Sequence, residues 1–274
     1  MPTAVKDNRK ALIQVTGLAH RYGQQMLYRD VSFDVLAGEI FAILGLSGSG
    51  KSTLMKQLIG LLPESEGEIE ILGQYITGPN KEEGLDRVRR QIGVMFQNGA
   101  LFGSMTLLEN VMLPLEMWTS LPVDARALVA RYKLGLVGLA DAAEQKPAEI
   151  SGGMVKRAAI ARAMALDPPI LFLDEPAGGL DPITSAGLDR LILELRLNQG
   201  TTFVVVTHEL ASLLTIADRC IMLDRSAHED CGGIIAEGDP KVLRQDSKNS
   251  IVRAFLRREL PPTRQPTAGR AGGC

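Results

Sequence analysis

The residues best able to do chemistry stand in two short runs. The first, Gly45-Leu46-Ser47-Gly48-Ser49-Gly50-Lys51-Ser52-Thr53, fits the pattern G-x-x-x-x-G-K-[ST]. Glycines at that spacing let backbone N–H groups close around phosphate oxygens, and a helix beginning at the end of the loop adds unpaired donors and a favourable dipole. In such a loop Lys51 holds the β- and γ-phosphates of a nucleoside triphosphate, the Ser52 hydroxyl ligates Mg²⁺ and Thr53 supports the first helical turn. With glycine near 7% of average residues, chance produces such a match in a chain of this length roughly 1% of the time, so the loop carries weight. The second run is Asp174-Glu175, in which Asp174 is suited to reach Mg²⁺ and Glu175 to polarise an attacking water. Asp-Glu pairs are common in turns and caps, and this one becomes informative only beside the first run.

Both runs sit where their chemistry requires. Phe41-Ala42-Ile43-Leu44 is a continuous apolar run suited to a buried parallel strand, and Thr53 to Gly60 has helical spacing with a glycine at its end. Ile170-Leu171-Phe172-Leu173 likewise delivers the two carboxylates at the C-terminal end of a strand, the edge where open α/β sheets bind ligands. Leu12 to Leu44 alternates short β-like runs with turns. From Asn98 to Ile150 the pattern becomes helical, with amphipathic segments Leu107 to Met117 and Ala125 to Leu139 punctuated by Pro114, Pro122 and Pro147. Ser185 to Leu197 then reads as helix and Phe203 to Val206 as strand, so alternation returns and predicts a mainly parallel sheet covered by helices. The expected division is a short tail over residues 1–10, one domain over 11–245 with a helical subdomain at about 98–165, and a C-terminal extension over 246–274. The Pro- and Gly-rich end of that extension is expected to be disordered.

Composition narrows the field. The 274 residues are 45% hydrophobic and 23% charged, enough to bury a core, and 30 Lys and Arg against 32 Asp and Glu leave no field to gather nucleic acid. No apolar run approaches the ~18 residues of a membrane-spanning helix, and the first ten residues lack a secretory signal, so a cytoplasmic location is expected. Three cysteines, Cys220, Cys231 and Cys274, show no metal-ligand spacing and no paired framework.

Five further runs complete a pattern. Ile150-Ser151-Gly152-Gly153-Met154 precedes a basic, Ala-rich segment to Ala163; Gln97 follows Met95-Phe96; Leu180-Asp181-Pro182 comes shortly after the paired carboxylates; His208 stands in Val206-Thr207-His208-Glu209; and Tyr22 lies upstream of the glycine loop. In these motifs and their order, over about residues 11–245, the chain resembles the ATP-binding cassette (ABC) family. The resemblance implies an α/β P-loop NTPase fold, with a mainly parallel sheet, an N-terminal antiparallel β subdomain and a helical insertion. It also implies ATP and Mg²⁺ as cofactors, with Ser52, Gln97 and Asp174 near the metal. Glu175, His208 and Gln97 take catalytic positions, and Tyr22 stacks on adenine. Ser151, Gly152, Gly153 and Met154 form the signature, and Asp181 the D-loop. In the family a head-to-tail homodimer closes the signature of one subunit on ATP held by the glycine loop of the other. Read from the residues alone, His208 also suits a hydrogen-bonded strand terminus, Tyr22 simple packing and Gln97 a solvated loop. His20 and His228 have no placement that suggests a role.

Met154 departs from the usual Gln of the signature, and a thioether cannot donate an amide's hydrogen bonds. The run Ser151 to Met154, with Asn98-Gly99-Ala100-Leu101-Phe102, Asn110-Val111, Pro114-Leu115, Leu121-Pro122 and Gly179 to Thr184, is similar to the cassette ATPases of Mce-type lipid transporters. That resemblance implies phospholipid as cargo, moved between the inner and outer membranes of a Gram-negative bacterium, with the chain peripheral on the cytoplasmic face of the inner membrane. The implied partners are a membrane permease dimer, an Mce-domain lipid-binding protein and a small STAS-domain protein, with residues 251–265 supporting dimer or partner contacts. A frayed last helix is the alternative for that segment. Rival functions are an ABC transporter for a lipoprotein or small solute, and a soluble cassette ATPase acting on DNA or ribosomes. The latter is disfavoured because the interval of about 100 residues from Lys51 to Ser151 has no sustained heptads. A kinase-like phosphotransferase would leave Ser151 to Met154 unexplained.

Overall fold

The apolar strands pair into a sheet that brings four ends of chain to one edge. The computed structural model describes residues 9–64, 66–78 and 81–259. In chain order the strands are β1 (Ala11–Tyr22), β2 (Gln25–Leu36), β3 (Ile40–Gly45), β4 (Glu66–Ile71), β5 (Gln74–Tyr75), β6 (Ile92–Met95), β7 (Ile170–Asp174), β8 (Thr202–Val206), β9 (Arg219–Asp224) and β10 (Gly233–Gly238). The helices are α1 (Lys51–Leu58), α2 (Lys81–Arg89), α3 (Leu107–Trp118), α4 (Val123–Leu136), α5 (Gly152–Ala163), α6 (Pro182–Gln199), α7 (Leu210–Ile216), α8 (Pro240–Asp246) and α9 (Ser250–Arg257).

The larger sheet has the order β10-β9-β3-β8-β7-β6, parallel from β9 to β6 and closed at one side by antiparallel β10. Its inner strands β3, β7 and β8 are buried nearly throughout, which explains why they read as continuous apolar runs instead of alternating ones. The smaller sheet, β2-β1-β4-β5, is antiparallel, and β1 with β2 carries several register shifts that bend it over the larger sheet. Between the two sheets lies an apolar core that includes Ile13, Phe33, Phe41, Leu54, Phe172 and Ile221, with the Phe33 and Phe41 rings stacked at 5.4 Å.

Between β6 and β7 the chain is helical. Thr106 opens α3 with a reciprocal cap, its hydroxyl accepting from Glu109 N while the Glu109 carboxylate accepts from Thr106 N. Pro114 is accommodated inside α3, and α4 stops short of the predicted Leu139 because Gly138 adopts a left-handed φ of 71°. Val111, Leu115, Ala130, Leu134, Ala158 and Ile160 join this helical layer to the sheet in a second core. At the far side α7 and α9 cover β3 and β9 through Leu213, Val252 and Leu256. The division expected at residue 245 therefore falls inside α8, and α9 is part of a core. Residues 1–8 of the expected N-terminal tail and 260–274 of the extension lie outside the described residues.

Candidate active site

Register explains the convergence of the candidate residues. Leu173 lies opposite Met95, Asp174 opposite Val206 and Ile43 opposite Val206, so β6, β7, β8 and β3 all end near one edge of the sheet. Gln97, Asp174-Glu175, His208 and the Gly45 loop each follow directly from one of those ends. The glycine loop needs its glycines for space as well as for conformation. At Gly45, with φ of 150°, a Cβ would lie 2.4 Å from both Leu223 O and Ser49 Oγ, and at Gly50, with φ of 102°, it would press on the Tyr28 ring at 2.8 Å. The result is a tight turn that ends in α1 with no side chain capping its first N–H groups and no acidic residue in its first turn. Ser49 Oγ is buried without a hydrogen-bond partner among the described residues.

Lys51 folds back over the loop and donates from Nζ to Gly45 O at 2.8 Å and Leu46 O at 3.1 Å. Burial lowers its pKa, and the charges of Glu175 and Asp174 oppose that shift. A cleft of ≈ 330 Å³ opens beside it, bounded by Tyr22, Gln25, Leu27, Gly48, Gly50, Lys51, Ser52, Thr53 and Arg225. Tyr22 is 55% exposed at the rim, its hydroxyl 3.1 Å from Thr53 Oγ1 and its ring edge-on to His20 at 4.6 Å. Leu46, Ser47 and Ser52 are exposed.

On the other side of the loop, burial and the neighbouring charge of Glu175 raise the pKa of Asp174, with Lys56, Lys156 and Lys51 opposing. Glu175 is buried and adopts a left-handed φ of 47°, uncommon for a residue with a side chain. Its N–H donates to Val206 O at 2.8 Å and its carbonyl accepts from Gly178 N at 3.1 Å. His208 donates from Nδ1 to Glu175 Oε1 at 2.7 Å and from its backbone N to Oε2 at 3.4 Å, so ring and carboxylate form one unit. Gln97 is exposed at the start of the helical segment. Ser52 hydroxyl, Gln97 amide oxygen and Asp174 carboxylate are all hard oxygen donors, the set that suits Mg²⁺.

The signature residues gather elsewhere. Ser151 caps α5, its hydroxyl accepting from Met154 N at 3.3 Å, and Asp181 caps α6, accepting from Ile183 N and Thr184 N at 3.0 Å each. Those bonds, with that from the Thr184 hydroxyl first, hold the Asp181 pKa below its ordinary value. The starts of α5 and α6 touch so closely that a Cβ on Gly153 would lie 2.5 Å from Thr184 Cγ2. Among the described residues, none from 151 to 154 shares a hydrogen bond with the glycine-loop cluster.

Three features were not legible from spacing. Lys156 of α5 donates from Nζ to the backbone carbonyls of Gln97 and Glu175, Arg162 donates to Gly99 O and Ala100 O, and Arg225 donates from Nε to Gly48 O at 2.9 Å. His20 has a packing role: it is buried, its Nδ1 is 3.2 Å from Gln57 Nε2, Gln57 Oε1 accepts from the Tyr28 hydroxyl, and burial lowers the imidazole pKa. The only local hint of Lys156 and Arg162 is their presence, six residues apart and with Arg157 as the one other charged residue, in a helix of small and apolar residues.

Comparison with known proteins decides what this arrangement belongs to. The ABC transporter family profile matches residues 28–178, more than half the chain. The chain belongs to the ABC transporter family. It is the ATP-hydrolysing subunit of such a transporter, and the family works on ATP. The cassette ATPase is 39% identical over 249 residues to the Haemophilus influenzae intermembrane phospholipid transport system ATP-binding protein MlaF, covering 90% of this chain and 91% of that one. It is 41% identical over 244 residues to the Mycobacterium leprae ATP-binding protein mkl, whose name assigns it to ribonucleotide transport, covering 89% and 68%. Among solved structures, a dimeric ATP-binding cassette in a post-hydrolysis state with ADP and Pi matches with a TM-score of 0.72 at 31% identity, over 83% of this chain and 98% of that one. Cassette ATPases of this family form dimers and act with membrane permeases, and among the described residues no helix is long and apolar enough to cross a membrane.

Proposed function

We propose that this cassette ATPase binds ATP with Mg²⁺ at the Gly45 loop and drives phospholipid transport between the inner and outer membranes of a Gram-negative bacterium, peripheral to the inner membrane. The observation that carries the catalytic part is the 2.7 Å bond between His208 and Glu175 at the sheet edge that also presents Lys51 and Asp174. Tyr22 stacks on adenine. The loop N–H groups and Lys51 hold the phosphates, and Lys51 exchanges its two carbonyl partners for phosphate oxygens when ATP arrives. Ser52, Asp174 and Gln97 hold Mg²⁺, which neutralises phosphate charge when bound. Glu175 takes the proton of the attacking water, while His208 orients the carboxylate and reaches the γ-phosphate.

The signature half of the site comes from a second copy. Ser151, Gly152 and Gly153 offer helix-start N–H groups yet have neither the lysine nor the carboxylates of the glycine-loop cluster. A head-to-tail homodimer brings each signature, with Asp181, onto the partner's ATP. Two ATP molecules close the dimer and draw the helical insertions together, and loss of the phosphate contacts on hydrolysis lets it open. A permease dimer, an Mce-domain lipid-binding protein and a small STAS-domain protein complete the assembly, and residues 251–265 support dimer or partner contacts.

The phospholipid cargo is supported by the likeness to MlaF together with Met154 in the signature. A second cargo has an observation of its own, the comparable identity to mkl. Purification of the chain from detergent-solubilised membranes, with mass spectrometry of bound proteins and ligands, separates them. A permease, an Mce-domain protein and phospholipid support the first reading; a permease with a nucleotide-derived or other small solute supports the second; ribosomes or DNA would overturn both.

A further inference from the structure

We propose that Lys156 is a positioning residue that fastens the helical insertion to Glu175, so that Glu175 is correctly placed only when the insertion is. The inference rests on the reading of Glu175 as the residue that activates water. Lys156 is 8% exposed on α5. Its Nζ donates to Gln97 O, where the chain leaves β6 for the insertion, and to Glu175 O at 3.2 Å, just beyond β7. Six residues along the same helix, Arg162 donates to Gly99 O at 2.9 Å and Ala100 O at 2.7 Å. Gly99 and Ala100 both have positive φ, 73° and 51°, which turns the segment back on itself, and Gly99 N closes the turn on Phe96 O at 2.7 Å. The first segment of the insertion is therefore tied to its last helix by two cations, and only Lys156 continues to the catalytic strand.

The chemistry of the side chain argues for that use. Filling the space would need only a methionine, which carries no desolvation cost, whereas a largely buried ammonium does. What the ammonium adds is directed hydrogen bonding between two stretches of backbone that lie beyond the ends of their strand pairing, since β6 and β7 are paired only from Ile92 with Ile170 to Met95 with Leu173. The Glu175 carbonyl is a sensitive place to pull. Its residue is held at φ of 47° by one bond on each side, to Val206 O and from Gly178 N, and the direction of the carboxylate follows the backbone. A movement of α5 thus reaches Glu175 through one bond, without passing through the ATP.

The test uses the full chain co-expressed and purified with its permease, comparing Lys156→Met, Lys156→Arg and Lys156→Leu with the unaltered protein. Lys156→Met should lower kcat for ATP hydrolysis about tenfold or more with KM for ATP nearly unchanged, and Lys156→Arg, which keeps charge and donors, should recover most of the loss. Hydrogen exchange on the same samples should show the amides of 97–100 and of 175–178 opening about tenfold faster in Lys156→Met and not in Lys156→Arg. Lys156→Leu, which likewise has no donor, replaces the Met variant if that one does not fold. An unchanged kcat in Lys156→Met would overturn the proposal. So would faster exchange confined to 97–100, because Lys156 would then fasten the insertion alone. If Glu175→Gln hydrolyses ATP normally the reading of Glu175 fails instead, and the exchange result still reports whether Lys156 restrains residues 175–178.

Discussion

The two helix starts proposed to meet phosphate, α1 and α5, are built differently. Both lack acidic residues in the first turn, which leaves the positive end of each helix unopposed. At α1 the cap is Gly50, with no side chain competing for the free N–H groups, and within reach stand a lysine and the two consecutive carboxylates at the end of β7. At α5 the cap is Ser151, whose hydroxyl already takes one of the donors, and its nearest neighbours are Leu180 and Thr184. The first start belongs to a site that one chain can furnish for binding and chemistry. The second contributes donors alone, and in the proposed dimer it meets a nucleotide brought by another copy.

That contrast can be broken by substitution. The largest effect is expected at the first site, where Glu175→Gln should lower ATP turnover by about 10²–10⁴-fold while ATP still binds, measured as phosphate release against nucleotide binding. Turnover near the unaltered rate would remove Glu175 from the role given to it. Lys51→Ala should act earlier, losing ATP affinity as well as turnover, and a variant that binds ATP normally would count against Lys51 as the phosphate ligand. At the second start, Ser151→Ala should leave ATP binding to the separated monomer unchanged but weaken ATP-dependent dimerisation, with about 1 kcal/mol lost in stability from the missing cap. Sedimentation with and without ATP would show it, and a loss of monomer binding would merge the two sites. Tyr22→Ala should weaken ATP binding by about 0.5–1.5 kcal/mol with kcat preserved, readable by titration. The smallest change sharpens the comparison in the opposite sense: Met154→Gln restores an amide donor and should tighten the ATP-bound dimer by about 0.5–1.5 kcal/mol if that side chain faces the partner's nucleotide.

Legibility followed the range of the interactions. Gly45 to Thr53 is legible because loop and helix chemistry is written within a few consecutive residues, Asp174-Glu175 becomes informative only beside it, and His208 is placed by the order of the family's motifs; register brings all three to one edge. The parallel sheet was readable for the same reason, its inner strands being short apolar runs. The bent pairing of β1 with β2 was not, because register shifts interrupt the alternation that would reveal it. Lys156 and Arg162 act on carbonyls 59 to 63 residues earlier in the chain, and backbone acceptors leave no trace in side-chain identity. His20 is similar: its partners Gln57 and Tyr28 are uninformative residue types until the fold brings them against its ring. The C-terminal helix α9 reads in sequence as an amphipathic fragment that suits a partner contact or a frayed end, yet Val252 and Leu256 are what close the core over β3 and β9.

The shared edge at which the four strands end has a practical side. The groups proposed to act on ATP from these strands lie at or just beyond their C-terminal ends, so the turns feeding the opposite ends are separated from that chemistry by the length of the sheet. The exposed turn at 198–200, where α6 ends on Gly200 in a left-handed cap before β8 begins, is such a place. A fluorophore or affinity tag grafted there would ride on the rigid platform of the molecule and report on its assembly while leaving the nucleotide pocket untouched.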